Sequence, residues 1–307
     1  MKIENVDELR VLIECARGGS LTAAARVLSV TPAAASALLK RLEARLGARL
    51  VERSTRALSL TPPGEAFLGY AQRALDLLDE GAAHIGDDAS RLRGTIRLTG
   101  PSDLTRNVLL PWLDEFLEAH PGVELQLSVG DRLQDVVRDQ VDLAIRTGEL
   151  ADSRLVARQL ARTRRIAVAS PDYLARRGTP REPADLAAHE CLTYRIRQRR
   201  ETIWRFWAEG ATEAAPLAAV RVNGRRSVDD AEIAHRWALA GHGILYKGEL
   251  DVRASLARGA LVRLFPGLVG DALPLHAVMP SQRFLPQRVR ALVDHLAARL
   301  AAQMLRR

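Results

Sequence analysis

The chain has 307 residues, of which 47% are hydrophobic and 27% charged, a composition typical of a globular protein with about two or three domains. Its formal net charge of +8 favours a polyanionic partner, and its two cysteines are too few for a disulfide framework. The sequence shows neither an apolar run of the ~20 residues that a membrane span requires nor the basic start of a signal peptide. These features predict a cytoplasmic protein with no membrane partner.

Two short helical patterns follow each other between residues 20 and 43. Ser20 is placed to cap the first helix, and Thr31 with Pro32 begins the second. The apolar stripes are Leu21, Ala24, Ala25 and Leu28, then Ala35, Leu38, Leu39, Leu42 and Leu46. Two helices joined by about three residues cross steeply, and alanines let their backbones approach. The pattern predicts a helix-turn-helix, whose second helix enters the major groove of double-stranded DNA.

The exposed side of the second helix would carry small side chains first and cations last. Small residues allow close approach to base edges, while cations suit phosphates, which supply affinity without reading sequence. The residues predicted at this surface are Thr22, Thr31, Pro32, Ala33, Ser36, Ala37, Lys40 and Arg41. An ordinary alanine-rich helical hairpin with a solvated basic face is the alternative interpretation.

A small hairpin with a basic tip follows the two helices. Two short strand-like runs, Ala48–Glu52 and Ala57–Leu60, flank this tip and together predict the wing of a winged helix. An arginine on such a tip can reach the minor groove or its phosphates. The predicted tip residues are Arg53, Ser54, Thr55 and Arg56.

An ordered set of residues in this region resembles the LysR-type transcriptional regulators. The set spans roughly 45 residues at the family's spacing: Gly19-Ser20-Leu21-Thr22-Ala23-Ala24-Ala25, Ser36, Leu42-Glu43, Leu46-Gly47, Leu50, Arg53, Leu60-Thr61 and Gly64. Two positions depart from the pattern, with Ala37 where the family often has arginine and Val51 where it usually has phenylalanine. The resemblance implies a winged helix-turn-helix over 1–61, a dimerisation helix over 62–90 and an effector-binding domain over 91–307.

A long apolar stripe follows the Pro62-Pro63-Gly64 break. Its members are Phe67, Tyr70, Ala71, Ala74, Leu75, Leu78, Ala82 and Ile85. Such a helix needs a partner, and pairing with its own copy is the simplest solution, whereas packing on its own C-terminal domain is the alternative. The resemblance implies a homodimer or a homotetramer, and it leaves contact with RNA polymerase open. The polar run over 86–90 is interpreted as a hinge.

From Gly94 onward the pattern alternates between strands and helices, which predicts a parallel α/β sheet. Strands are predicted at Gly94–Pro101, Val123–Val129, Val141–Gly148, Arg164–Pro171, Glu190–Ile196 and Leu273–Pro280. Helices are predicted at Leu104–Gly122 and Pro286–Leu305, and a helix followed by a strand at Ser227–Lys247. The resemblance implies a periplasmic-binding-protein-like α/β fold of two subdomains, one formed by 91–162 with 267–307 and the other by 163–266.

Ligands of such sheets bind at the carboxyl ends of the strands, beside helix N-termini. Ser102 and Arg146 follow predicted strands, and the run from Tyr194 to Thr202 is rich in arginine. The predicted effector-binding residues are Ser102, Asp103, Leu104, Asp131, Arg146, Thr147, Arg197, Thr202 and Val228. A small anion such as a carboxylate is the expected effector. Alternatively, Ser102 only caps a helix and the arginines are solvated.

The sequence gives little support to catalysis or metal binding. It contains no GxSxG, GxxxxGK or strand-linked GxGxxG motif and no paired histidine or cysteine metal spacing, so we predict no enzyme, no metal and no cofactor. Redox sensing by Cys191 is not favoured, because Cys15 lies in the predicted DNA-binding domain. The resemblance implies a ligand-responsive regulator, often of a divergent neighbour gene and of itself. The alternatives are an α/β solute-binding protein or an enzyme with a basic accessory domain.

Overall fold

The computed structural model describes residues 3–53, 58–85, 92–130, 141–150, 155–196, 199–210, 215–280 and 285–305. The chain divides into two compact units, Met1–Arg91 and Leu92–Arg307. Among the described residues, no single helix is long and apolar enough to span a membrane. The helices Leu21–Val27 and Pro32–Leu46 meet that criterion only together, across a bend of 105°.

The first unit is a helix-turn-helix followed by a hairpin and a long helix. Its elements are α1 (Val6–Gly18), α2 (Leu21–Val27), α3 (Pro32–Leu46), β1 (Val51–Arg53), β2 (Leu58–Leu60) and α4 (Pro62–Ile85). Both predicted caps form, since the Ser20 hydroxyl accepts the N–H of Ala23 at 3.0 Å and the Thr31 hydroxyl accepts that of Ala34 at 3.2 Å. Gly47 ends α3 in the left-handed conformation, at φ 66°.

The crossing of α2 and α3 depends on small residues. Ala24, Ala25 and Ala35 are buried there, and they join one hydrophobic core with residues of α1 such as Leu12. Side chains of this size let helix backbones approach, so a larger residue at any of the three positions would overpack the core. The predicted apolar stripes therefore form the inner faces of this unit.

The hairpin is shorter than the predicted strand runs. Its strands pair antiparallel from Val51 with Leu60 to Arg53 with Leu58. A side chain fixes the segment that leads into the hairpin. The Glu43 carboxylate accepts hydrogen bonds from the backbone N–H groups of Leu50 and Val51 at 2.8 and 3.2 Å. The predicted tip residues Ser54, Thr55 and Arg56 lie outside the described residues.

The start of α4 gives a physical reason for two residues of the LysR-like motif. The Thr61 hydroxyl donates to the carbonyl oxygen of Arg49 at 2.6 Å and accepts the N–H of Gly64 at 3.1 Å. A Cβ on Gly64 would lie 1.9 Å from the carbonyl oxygen of Leu50. Only glycine therefore lets α4 pack this closely against the chain that enters the hairpin.

The apolar stripe of α4 divides between two surfaces. One set of side chains packs on the helix-turn-helix core and comprises Phe67, Leu68, Ala71, Ala74 and Leu75. Tyr70, Leu77 and Leu78 are exposed. The side chains of Ala82 and Ile85, also predicted in the stripe, lie outside the described set. Half of the predicted stripe thus has an intramolecular partner within the first unit.

The second unit contains two main sheets, and the first has the strand order β4-β3-β5-β16-β6. Its strands are β3 (Gly94–Gly100), β4 (Val123–Val129), β5 (Leu143–Thr147), β6 (Val156–Ala161) and β16 (Leu275–Met279). β3 runs parallel to β4 and β5, as predicted, whereas β16 is antiparallel to β5 and β6. The predicted parallel sheet is therefore confirmed for β3, β4 and β5 and wrong for β16, which joins the sheet only after the chain has returned from the second one.

Helices cover the first sheet. A helical stretch begins with α5 (Ser102–Leu104), widens into a π-helical turn (Thr105–Leu109) and continues as α6 (Leu110–Ala119). The closing helix is α10 (Gln287–Leu305), whose Val289, Leu292 and Leu296 are buried in the same core as Ile96 of β3. The strand, helix and closing-helix predictions for this sheet agree with the structure within a few residues.

The second sheet has the order β12-β8-β13-β7-β14, with β9 paired to β8. Its strands are β7 (Arg165–Ala169), β8 (Cys191–Ile196), β9 (Arg199–Arg200), β12 (Ser227–Val228), β13 (Ile244–Gly248) and β14 (Val262–Arg263). A smaller sheet joins β10 (Ile203–Ala208), β11 (Ala218–Arg221) and β15 (Leu268–Val269). The remaining helices are α7 (Pro171–Arg177), a 3-10 helix (Pro183–Ala188), α8 (Ala231–Leu239) and α9 (Glu249–Ala257).

The chain passes between the two main sheets twice, after β6 and again before β16. Leu250 of α9 is buried in the hydrophobic core of the first sheet, although α9 follows a strand of the second. The two sheets of this unit therefore share packed elements, and side chains of α5, α8 and α9 meet where they join.

Candidate DNA-binding surface and effector site

The solvent side of α3 carries most of the residues predicted to contact DNA. The exposed ones are Pro32, Ala33, Ala37, Lys40 and Arg41, and Ser36 is half-buried. Thr22, in the first turn of α2, and Thr31, which caps α3, are exposed as well. One face of a capped helix thus presents small residues at its start and cations toward its end, a form that suits the major groove.

Arg41 has a structural partner in addition to its predicted role. Its Nε lies 3.6 Å from a carboxylate oxygen of Glu8, and Arg45 Nη2 lies 3.9 Å from the same oxygen. Glu8 is buried, so its charge needs these cations. Arg53 ends β1, but its side chain is outside the described set.

Ser102 does not cap a helix; its hydroxyl bridges to another element. It donates to the Asp230 carboxylate, whose two oxygens lie 3.0 and 3.2 Å away, and it accepts a hydrogen bond from Arg106. Asp230 in turn caps α8, accepting the N–H groups of Glu232 at 2.8 Å and Ile233 at 3.3 Å. The hydroxyl predicted to meet a carboxylate therefore does so, but the carboxylate belongs to the chain itself.

Asp103 belongs to a buried ionic cluster with Lys247 and Asp251. The Lys247 ammonium forms an ion pair with Asp103 and lies 3.3 Å from a carboxylate oxygen of Asp251 and 5.0 Å from the centre of the Tyr194 ring. Burial lowers the pKa of Lys247, and the Asp251 carboxylate acts in the opposite direction. This cluster joins α5, which covers the first sheet, to β13 of the second.

The other predicted effector residues are more scattered. The Leu104 side chain is buried in the first core and its N–H donates to Asp103 at 2.7 Å, which gives it a structural role in this conformation. Arg146 and Thr147 end β5, and the Arg146 guanidinium donates to the carbonyl oxygen of Ile145 at 3.0 Å. Thr202 precedes β10 and Val228 ends β12, both in the second sheet region. Asp131 and Arg197 lie outside the described residues.

Sequence reasoning missed the charged residues that bind this junction together: Arg106, Asp230, Lys247 and Asp251. Lys247 had a detectable signal, because it is the one charged residue in the run Ile244–Gly248, where the predicted helix-then-strand segment ends. Arg165 was also missed; its guanidinium carbon lies 5.9 Å from the centre of the Tyr194 ring at the same end of the sheet.

The described residues contain no group of three or more histidine, cysteine or acidic side chains that could hold a metal ion. Cys15 and Cys191 are both buried thiols. Burial, assisted by the nearby Glu190 carboxylate, raises the pKa of the Cys191 thiol to about 12. A thiol protonated at neutral pH is a poor nucleophile, so in this conformation Cys191 is a buried structural side chain.

Two family models together match nearly the whole chain. Residues 6–65 match the bacterial regulatory helix-turn-helix protein of the lysR family, and residues 89–301 match the LysR substrate binding domain. The chain belongs to the LysR family of transcriptional regulators. It binds DNA through its helix-turn-helix and a small-molecule effector through its substrate-binding domain, and it is not an enzyme.

Relatives of similar length support this assignment. The transcriptional regulator PtxR of Pseudomonas aeruginosa is 33% identical over 302 residues, which cover 98% of this chain and 95% of PtxR. DmlR of Escherichia coli is 33% identical, with 95% and 93% covered. The solved structure of CrgA, a LysR-type regulator from Neisseria meningitidis, is 30% identical and superimposes with a TM-score of 0.61, covering 97% of this chain and 99% of CrgA.

Proposed function

We propose that this regulator reads promoter DNA with the exposed face of α3 and the tip of the hairpin. The observation that carries the proposal is the capped α3 helix, whose solvent side presents Ala33 and Ala37 for close approach and Lys40 for phosphates. Thr22, Thr31, Pro32, Ser36, Arg41 and the tip residues 53–56 complete the proposed surface.

The proposed domain limits are supported by the start of α4 at Pro62 and by the division of the chain after Arg91. Residues 1–61 bind DNA, residues 62–90 dimerise, and residues 91–307 bind the effector, with subdomains formed by 91–162 with 267–307 and by 163–266. The exposed Tyr70, Leu77 and Leu78 of α4 support a homodimer, which two copies can extend to a tetramer. The operator is proposed to lie upstream of the regulator's own gene, beside a divergent neighbour, from where the bound assembly could contact RNA polymerase.

The proposed effector is a small anion, in particular a carboxylate. The Ser102 hydroxyl and the Arg106 guanidinium that donates to it lie one helical turn apart, where the two sheets of this unit join. Together they supply a hydrogen-bond donor and positive charge, which a carboxylate requires. Arg146 and Thr147, at the carboxyl end of β5, are proposed to extend the site.

A gel-shift experiment with one charge variant tests the DNA-binding surface. Ala33→Glu adds a carboxylate to the first turn of α3, where negative charge stabilises a helix but repels phosphate. We expect folding to be kept and the shift on the DNA upstream of the gene to be lost. Ala301→Glu, on an exposed position of α10, is the matched control and should bind as the wild type does. Equal binding by both variants would refute the proposed surface.

A further inference from the structure

Two pairs of side chains tie the N-terminus of α8 to the helical stretch that begins at α5. The Ser102 hydroxyl donates to Asp230, and the Asn107 amide donates to the Glu232 carboxylate at 2.8 Å. Arg106 and Asn107 both belong to the π-helical turn that follows α5. Such turns re-aim side chains and recur at functional sites. An element of the second sheet is thus held by hydrogen bonds to an element that covers the first.

The position that would receive the carboxylate of an effector is already filled. Ser102 is only 1% exposed, and the group that satisfies its hydroxyl is the carboxylate of Asp230. The Asp230 oxygens have the same charge and hydrogen-bonding capacity as a free carboxylate ligand. Because Asp230 is part of the chain, it is present at a high effective concentration that a free anion must exceed.

We propose that Asp230 is an internal competitor of the effector, and that an anionic effector acts by displacing its carboxylate from the Ser102 hydroxyl. The proposal rests on the proposed function, since it concerns regulation of the same effector site. In the effector-free state Asp230 holds α8 against α5. When an external carboxylate replaces it, that bond is lost while the Lys247–Asp103 ion pair remains. Effector binding is thereby coupled to the position of α8 relative to α5.

The competition also restricts which anions can act. An anion that makes only the same contacts as Asp230 gains little binding free energy, because it exchanges one carboxylate for another. An effective ligand must therefore make further contacts in the same site. Asp230 thus sets a threshold that excludes simple, abundant carboxylates such as acetate.

The variant Asp230→Ser tests this competition in the full-length protein. Serine is a good N-cap, so α8 keeps its start, but its short hydroxyl vacates the carboxylate position. The probe is acetate, and the readouts are the unfolding midpoint and tryptophan fluorescence, to which Trp237 of α8 contributes. We expect Asp230→Ser to bind acetate about tenfold or more tightly than the wild type, as removal of a competing charge-assisted hydrogen bond implies.

Two controls make the result specific. Asp229→Ser removes the adjacent, exposed carboxylate and should bind acetate no better than the wild type. Adding Ser102→Ala to Asp230→Ser should abolish the gain, since the acetate then lacks its hydroxyl donor. Asp230→Asn, isosteric and also a good N-cap, should show a smaller gain in the same direction and replaces Asp230→Ser if that variant does not fold.

Equal acetate affinity in the wild type, Asp229→Ser and Asp230→Ser would overturn the proposal. So would a gain in Asp230→Ser that persists when Ser102 is replaced by alanine. Neither result bears on the DNA-binding function, which the gel shift measures separately. Conversely, a wild-type protein that fails to bind DNA would refute the proposed function even if the acetate gain were observed.

Discussion

Lys247 illustrates how much a single buried charge constrains this structure. It lies in β13 between the carboxylates of Asp103 and Asp251, at 3% exposure. A buried ion pair adds little stability compared with well-packed apolar side chains, but removing one partner leaves the other charge buried without compensation. Here one cation compensates two carboxylates, so its loss is more costly than the loss of either acid.

We expect Lys247→Met to destabilise the second unit by about 3–5 kcal/mol, because both carboxylates then remain buried. Asp103→Asn should cost less, since Lys247 keeps Asp251. Urea unfolding monitored by tryptophan fluorescence measures the loss of stability directly, because all four tryptophans (112, 204, 207 and 237) lie in the second unit.

Lys40→Met is the matched control for this substitution. Lys40 is exposed on α3 in the first unit, so the fluorescence-detected midpoint should not change. If Lys247→Met unfolds at the same urea concentration as the wild type, the buried ionic cluster does not support the junction.

Among the helices of the first unit, α4 keeps part of its apolar surface exposed. Its Phe67 side packs on the helix-turn-helix core, whereas Tyr70 and Leu78 are more than half exposed. Exposed apolar positions spaced seven or eight residues apart on one helix are suited to a helix–helix contact. This surface, and not the whole predicted stripe, is the one available to a second copy.

Leu78→Lys should therefore weaken self-association without unfolding the first unit. We expect a shift toward monomer of about tenfold or more in the dissociation constant, because a lysine ammonium would enter an apolar contact. Sedimentation equilibrium measures the change. Leu305→Lys, at an exposed position of α10, provides the control with the same chemical change. If both variants dimerise like the wild type, α4 does not supply the dimer contact.

The sequence predicts those elements whose signals are local. Ser20, Thr31 and Gly47 mark helix ends, the strand around Ile96 shows alternating apolar residues, and the strand around Ile145 appears as a short apolar run. β6 was not predicted, because it is a short edge strand whose burial does not alternate and whose middle residues, Ala157–Gln159, are all exposed. The two-residue strands β14 and β15 are too short for any periodic pattern.

At the scale of the whole molecule, the candidate effector site could be predicted only in part. Ser102 was found because it follows a strand, but its partner Asp230 lies 128 residues further along the chain. Nothing local relates these two positions, since the pairing exists only after the chain has crossed from the first sheet to the second. Local sequence patterns therefore identify Ser102, and only the tertiary structure identifies its partner Asp230.

The basic face of the helix-turn-helix is proposed to bind DNA through its phosphates. The most direct test is the affinity of the wild-type protein for the DNA upstream of its own gene as a function of salt concentration. A dimer that neutralises six or more phosphates should lose at least about 10³-fold in affinity between 50 and 200 mM salt. An affinity that is independent of salt over this range would rule out binding through phosphates at this surface.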